Sequence, residues 1–95
     1  MDFQQLTDQY HLPVYNRYPV TLTKGRGAYV WDENGNKYLD ALAGIAVNSL
    51  GHCHPKVVSA VQEQVEQLMH ISNFYYSKPQ AQLLEKLSEL SRLDK

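Results

Sequence analysis

One cysteine, Cys53, leaves the chain no internal disulfide to make, which suits a reducing compartment. Charge of one sign is also missing. Nine Lys and Arg stand against ten Asp and Glu, a net charge of -1 with no basic stripe to neutralise a phosphate backbone, which argues against a nucleic-acid partner. There is no long hydrophobic run. The longest uncharged stretch, Ala41 to Pro55, is broken by Gly44 and Gly51 and is too short to span a bilayer. The opening MDFQQLTDQYH has an acidic residue at position 2 and no apolar run, so it does not read as a signal peptide. Repeats, low-complexity tracts and linkers are absent too. What remains reads as a soluble, cytoplasmic chain of 95 residues, one small domain with a thin stability margin.

What is present is patterned. Phe3, Leu6 and Tyr10 share one helical face, and Pro13 is expected to end that helix. PVTLT at 19–23 reads as a strand, KGRG as a turn, and AYVWD at 28–32 as a second strand. Asn34-Gly35 is the preferred pair for a type I′ turn, so Tyr29–Asp32 and Lys37–Leu42 are expected to pair as a hairpin. Val57, Val58, Val61, Val65 and Leu68 recur at helical spacing over 55–70, opposite a face of Gln and Glu. Ser77 and Gln80 have the capping-box spacing ahead of a last helix striped with Leu83, Leu84, Leu87 and Leu90, and no Gly or Pro follows to close it.

Few residues look chemical. GHCHP at 51–55 sets two histidines around the cysteine, but an extended segment points His52 and His54 one way and Cys53 the other. A structural zinc site wants four ligands at separated spacings, so metal binding is weakly supported. Pro55 suits a first helical turn, which makes GHCHP a tight helix entry with histidines free for local hydrogen bonds. Cys53 has no adjacent Lys or Arg to activate it. GRG at 25–27 lacks the third glycine of a dinucleotide loop, since Val30 stands there. His70 suits a dipole contact near a helix C-terminus. NFYY at 73–76 reads as a buried packing or interface loop rather than a stacking platform, because no basic groove accompanies it. The lysines lie in turns or on polar faces, with no apolar surround to make one a nucleophile. The residues alone define no catalytic constellation.

Their order, however, is distinctive. GAYVWDENGNKYLDALAGIAVNSLGHCHPKVVSAVQEQ resembles the amino-terminal region of class III pyridoxal-phosphate aminotransferases. NRYPV, AGIAVNSLGHCHP and HISNFYY are most similar to the acetylornithine aminotransferase group, with ornithine aminotransferases close by. The resemblance implies an α+β amino-terminal part of the aspartate-aminotransferase type of fold, a β-meander followed by two amphipathic helices. Residues 1–71 would belong to the small domain and 72–95 to the first helix of the large one. The family's phosphate loop, the acidic residue facing the pyridine nitrogen, the Schiff-base lysine and the carboxylate-binding arginine all lie downstream, so the chain looks like an amino-terminal fragment, inactive alone.

By the same resemblance Tyr15 would stand beside the substrate, and Gly44, Ile45 and Ala46 would line the substrate side of the pocket. Ornithine aminotransferases carry a tyrosine in that loop, so smaller residues here favour an acylated tail. Asn73 and Phe74 would lie at a homodimer interface. No catalytic, cofactor-binding or metal-ligating residue is expected within the chain. The parent would use pyridoxal phosphate to pass an amino group from N-acetylornithine, or a related ornithine-type donor, to 2-oxoglutarate in arginine biosynthesis. Two rivals remain: a free-standing interaction module derived from an aminotransferase, and a small metal-binding protein resting on GHCHP alone.

Overall fold

The computed structural model describes residues 2–95. Helix α1 spans Phe3–Tyr10, where the periodicity placed it. Asp2 caps it: its carboxylate accepts the Gln5 amide at 2.8 Å while the Gln5 side chain accepts the Asp2 amide at 3.2 Å, a closed capping box. The helix ends at His11, before Pro13 is reached, where the His11 amide donates to Thr7.

Three antiparallel strands follow in the order β1 (Leu22–Arg26), β2 (Tyr29–Asp32) and β3 (Lys37–Leu39). β1 lies further along the chain than the β-formers at 19–23 suggested. Lys24, Gly25 and Arg26 pair with Trp31, Val30 and Tyr29, so the first three residues of KGRG supply strand and only Gly27-Ala28 turns. An irregularity between Leu22 and Lys24 absorbs one residue, as a bulge does. β3 stops at Leu39, short of Leu42, because Asp40 turns the chain with its side chain.

The second hairpin loop is not the two-residue type I′ turn. Asn34 does not adopt positive φ; Gly35 alone does, at 83°. The Gly35 amide closes a turn on the Asp32 carbonyl at 3.1 Å, and the loop lengthens to Glu33–Gly35, a turn followed by one left-handed residue. Asp32 dictates this. It is buried and accepts four hydrogen bonds: the amides of Asn34 and Asn36, the Asn36 side chain and the Tyr38 hydroxyl, at 2.8–3.0 Å.

That network predicts a pH window. Donation from the Asn36 side chain, more than any other contact, holds the Asp32 carboxyl below its ordinary 3.8. Donation to Asp32 holds the Tyr38 phenol above its ordinary 10.0. A carboxylate favoured by folding stabilises the hairpin above pH 3.8, and that stabilisation is lost as pH falls through the lowered pKa. A phenol favoured in its protonated form stabilises below pH 10.0 and fails as pH rises through the raised pKa. Amide exchange at Asn34 and Asn36, corrected for intrinsic rate, should therefore stay protected between these limits and lose protection at both ends. Asp32→Asn should flatten the acid limb.

A single turn, α2 (Ala43–Ala46), leads towards helix α3 (Pro55–Val65) and then α4 (Lys78–Ser91). α3 ends five residues before position 70. The Gln64 carbonyl accepts both Gln67 and Leu68 amides while its side-chain amide donates to the Leu68 carbonyl, so the chain closes on itself there. Leu68 is thus outside the helix, and His70 lies beyond its last turn. Ser77 is the N-cap of α4 through its backbone only. Its hydroxyl makes no capping bond, and Pro79 removes one of the two amides it could have reached. The far end is closed after all, by Arg92 in left-handed conformation, φ 59°, with its amide on Ser88.

The described residues form two compact units, one ending at Ser59 and the other beginning at Ala60. Val30, at the centre of the sheet, is the one buried apolar side chain among them. The valines of α3 and leucines of α4 form the expected stripes, yet those side chains remain exposed.

Candidate functional site

The segment 40–54 carries the most unusual backbone in the chain. Ala43, Gly44, Ile45 and Ala46 have φ of 53°, 65°, 59° and 63°, so α2 is a left-handed turn between right-handed flanks at Leu42 and Val47. Left-handed geometry costs an L-residue roughly 1–2 kcal/mol, and three of these four carry a Cβ, one of them β-branched. Strain of this kind persists only where surrounding contacts over-determine it.

Asp40 supplies those contacts. Its Oδ1 accepts the Leu42 amide at 3.1 Å and the Ala43 amide at 2.8 Å, setting the entry into the turn. Its Oδ2 accepts Nε2–H of His52 at 2.6 Å. The Ala43 amide first, and His52 next, hold the Asp40 carboxyl below its ordinary 3.8. The exit is tied as well: the Asn48 amide donates to Ala43 at 2.9 Å, and the Gly51 amide to Asn48 at 2.9 Å.

GHCHP is the anchor for this arrangement. His52 exchanges two backbone hydrogen bonds with Gly27, at 2.8 and 3.0 Å, bridging the segment to the sheet. Its ring lies against Gly25, where an added Cβ would stand 2.7 Å from His52 Cγ. His54 faces a different task, accepting the Lys56 amide on Nδ1 at 3.2 Å while its carbonyl accepts Val58, which starts α3 at Pro55. Cys53 is exposed, at φ 53°. The two imidazoles are thus engaged at separate places, as a tight helix entry requires.

Gly44, Ile45 and Ala46 are brought together in one turn, with Ile45 82% exposed. Tyr15 belongs elsewhere in the same unit, to an open groove of about 630 Å³ bounded by α1 and residues 13–21. Its hydroxyl accepts from Arg17 Nη2 at 3.1 Å, the Arg17 guanidinium lies 4.6 Å from its ring centre, and His11 tilts against it. Asn73 and Phe74 sit in the second unit, in a turn closed by donation of the Tyr75 amide to Ser72. Phe74 and Tyr76 are almost wholly exposed, so NFYY is not buried within this chain. Asp40 and His52, which build the turn, were not among the residues that sequence singled out for the site. An Asp followed by amides two and three residues on is a known turn signal; no local signal pairs residues 12 apart.

The model of the family "Aminotransferase class-III" matches residues 11–95. The acetylornithine aminotransferase of Methanopyrus kandleri is 57% identical over 94 residues, 99% of this chain and 24% of that protein. The crystal structure of the acetylornithine aminotransferase from Elizabethkingia anophelis superposes with a TM-score of 0.94 at 34% identity, covering 98% of this chain and 24% of that one. A Toxoplasma gondii ornithine aminotransferase with partial occupancy of pyridoxal phosphate at its active site gives 0.90 at 36% identity, covering 98% and 22%. The chain spans about a quarter of the length of these relatives. Its meander and helices are the amino-terminal part of the pyridoxal-phosphate aminotransferase fold. The chain belongs to the class-III aminotransferases.

The described residues do not fit the cofactor of that fold by themselves. All six lysines are exposed: Lys24 and Lys37 lie over the rings of Trp31 and Tyr29, and Lys86 pairs with Glu89. Asp32 and Asp40, the two sequestered carboxylates, are taken up by the hairpin loop and by α2.

Proposed function

We propose that these 95 residues form one wall of the substrate pocket of an aminotransferase that takes its amino group from N-acetylornithine, or a related ornithine-type donor, and gives it to 2-oxoglutarate in arginine biosynthesis. The observation that carries this reading is the left-handed Ala43–Ala46 turn, small-sided except for an outward Ile45, in a chain so similar to an acetylornithine aminotransferase. Gly44, Ile45 and Ala46 exclude water and shape the space for the donor's acylated tail, and Tyr15 stands beside the substrate. Asn73 and Phe74 face the second subunit of a homodimer in the cytoplasm, which suits their exposure here. Residues 1–71 belong to the small domain and 72–95 open the large one. Pyridoxal phosphate and its lysine are supplied by other residues of the whole enzyme, and the 95-residue chain alone is inactive.

Ile45→Tyr in the whole enzyme tests the substrate reading. A ring at this position fills the room left for an acyl tail, so the ratio of kcat/KM for N-acetylornithine over ornithine should fall about 10-fold or more. Ile45→Ala should leave N-acetylornithine preferred. An unchanged ratio in both variants would remove 44–46 from the substrate pocket.

A further inference from the structure

Asp40 and His52 have no part in the pocket wall just proposed, yet they hold the turn that forms it. Asp40 joins three pieces of the first unit, one through its backbone amide and two through its carboxylate. Its own amide donates to Ala28 in the β1–β2 turn, its Oδ1 receives the amides that start the left-handed run, and its Oδ2 receives His52. His52 in turn is fixed by two backbone bonds to Gly27 and by contact with Gly25, where only a missing Cβ leaves room for its ring. Both are part-buried, with 23% and 17% of the His52 and Asp40 side chains exposed. A carboxylate so placed is oriented before any substrate arrives. Without it, the Leu42 and Ala43 amides lose the acceptor that holds the entry, and nothing else described at the entry keeps Ala43 and Ala46 from returning to negative φ.

We infer that Asp40 and His52 are a positioning pair: they hold the Ala43–Ala46 turn in its left-handed form and so set the affinity for the amino donor without touching it. The second half rests on 44–46 being the substrate-side wall. The coupling runs from His52 Nε2–H to the carboxylate to the Ala43 amide, so removing the imidazole donor should act on the turn although, among the described residues, no hydrogen bond joins His52 to residues 43–46.

The test uses the whole holoenzyme, with His52→Leu removing the donor and His52→Gln restoring an N–H near the Nε2 position. Two readouts are taken: the φ of residues 43–46 from crystal structures of each variant, and steady-state kinetics with the amino donor. His52→Leu is expected to return at least Ala43 to negative φ and to raise KM by about 10-fold, with kcat changed much less. His52→Gln should keep the left-handed φ values and a KM near that of the parent. A left-handed turn unaltered in His52→Leu overturns the anchoring role. A turn that reverts while KM stays constant overturns the role in affinity, and does so by contradicting the substrate-side reading of 44–46, which Ile45→Tyr tests separately. If His52→Leu does not accumulate as folded enzyme, His52→Gln decides: loss of the left-handed turn or of donor affinity despite the restored N–H overturns the proposal.

Discussion

Alone in solution, the 95-residue chain is expected to bind an apolar-sensing dye, to sediment as a concentration-dependent mixture and to melt without a sharp transition. Its accessible surface is 9202 Å². A compact monomer of its 10.9 kDa mass would expose about 5,600 Å², and two separately compact units roughly 6,700 Å². Large apolar side chains contribute to the excess. Leu83, Leu84, Leu87 and Leu90 are 52–73% exposed along one stripe of α4, and the valines of α3 are 38–60% exposed. Full burial of one such side chain contributes roughly 1.5–3 kcal/mol, so the four leucines alone are comparable with the about 5–15 kcal/mol that holds an ordinary domain together. In a whole enzyme these stripes would find partners; in the isolated chain they are left to water or to one another. Helix α1, the second hairpin and α3, whose hydrogen bonds are local, should persist longest. A monodisperse monomer with a cooperative melt and no dye binding would contradict this and favour the free-standing module.

Gly51→Ala should be the most damaging single methyl in the chain. Gly51 sits at φ 78°, and a Cβ there would stand 2.9 Å from the Gly27 carbonyl oxygen and 3.0 Å from two further Gly27 backbone atoms. Left-handed strain of roughly 1–2 kcal/mol then adds to an overpacking cost of about 1–3 kcal/mol, because backbone on both sides resists the shift. The damage falls on the Gly27–His52 bridge, and through His52 on the anchor of α2. Urea denaturation of the whole enzyme should show a midpoint lowered by the equivalent of about 2–5 kcal/mol if both costs are felt. Gly25→Ala, which meets the base of the His52 side chain without backbone strain, should cost less. A Gly51→Ala enzyme as stable as the parent would mean that the bridge does not constrain this region.

The elements were legible in sequence where their cause is local. α1 begins and ends on the expected residues because three apolar positions and a capping side chain suffice to define it. The meander was visible in its alternation, but β1 slid towards Arg26 because pairing with β2 outweighed the weak strand propensity of Lys-Gly-Arg. Asn34-Gly35 marked the second hairpin correctly and named the wrong turn, since the Asp32 carboxylate took two loop amides and left Asn34 no need for positive φ. The apolar period ran on to Leu68 although α3 stops at Val65, for periodicity records which side chains face a partner and not where a side-chain amide closes the helix.

The family, too, was legible, through a long run of similar residues and not through any chemistry in them. The shape of the candidate site was not. Nothing about Ala-Gly-Ile-Ala predicts four left-handed residues; every Cβ in it argues the other way. The cause lies in Asp40 and in a histidine 12 positions away, and a contact of that separation is decided by tertiary packing. GHCHP was read correctly as architecture, while what it supports became visible only with the Gly27 bridge in place.

The proposed division of labour, in which these residues shape a pocket and an interface, puts the bond-making groups elsewhere in the enzyme. Its most direct test is to treat both the 95-residue chain and the whole enzyme with pyridoxal phosphate, reduce with borohydride, digest, and locate the modified lysine by mass spectrometry. One stoichiometrically labelled lysine is expected in the whole enzyme, outside residues 1–95, with only scattered substoichiometric labelling of Lys24, Lys37, Lys56, Lys78, Lys86 and Lys95 in the chain alone. Stoichiometric labelling of a single one of those six would contradict it.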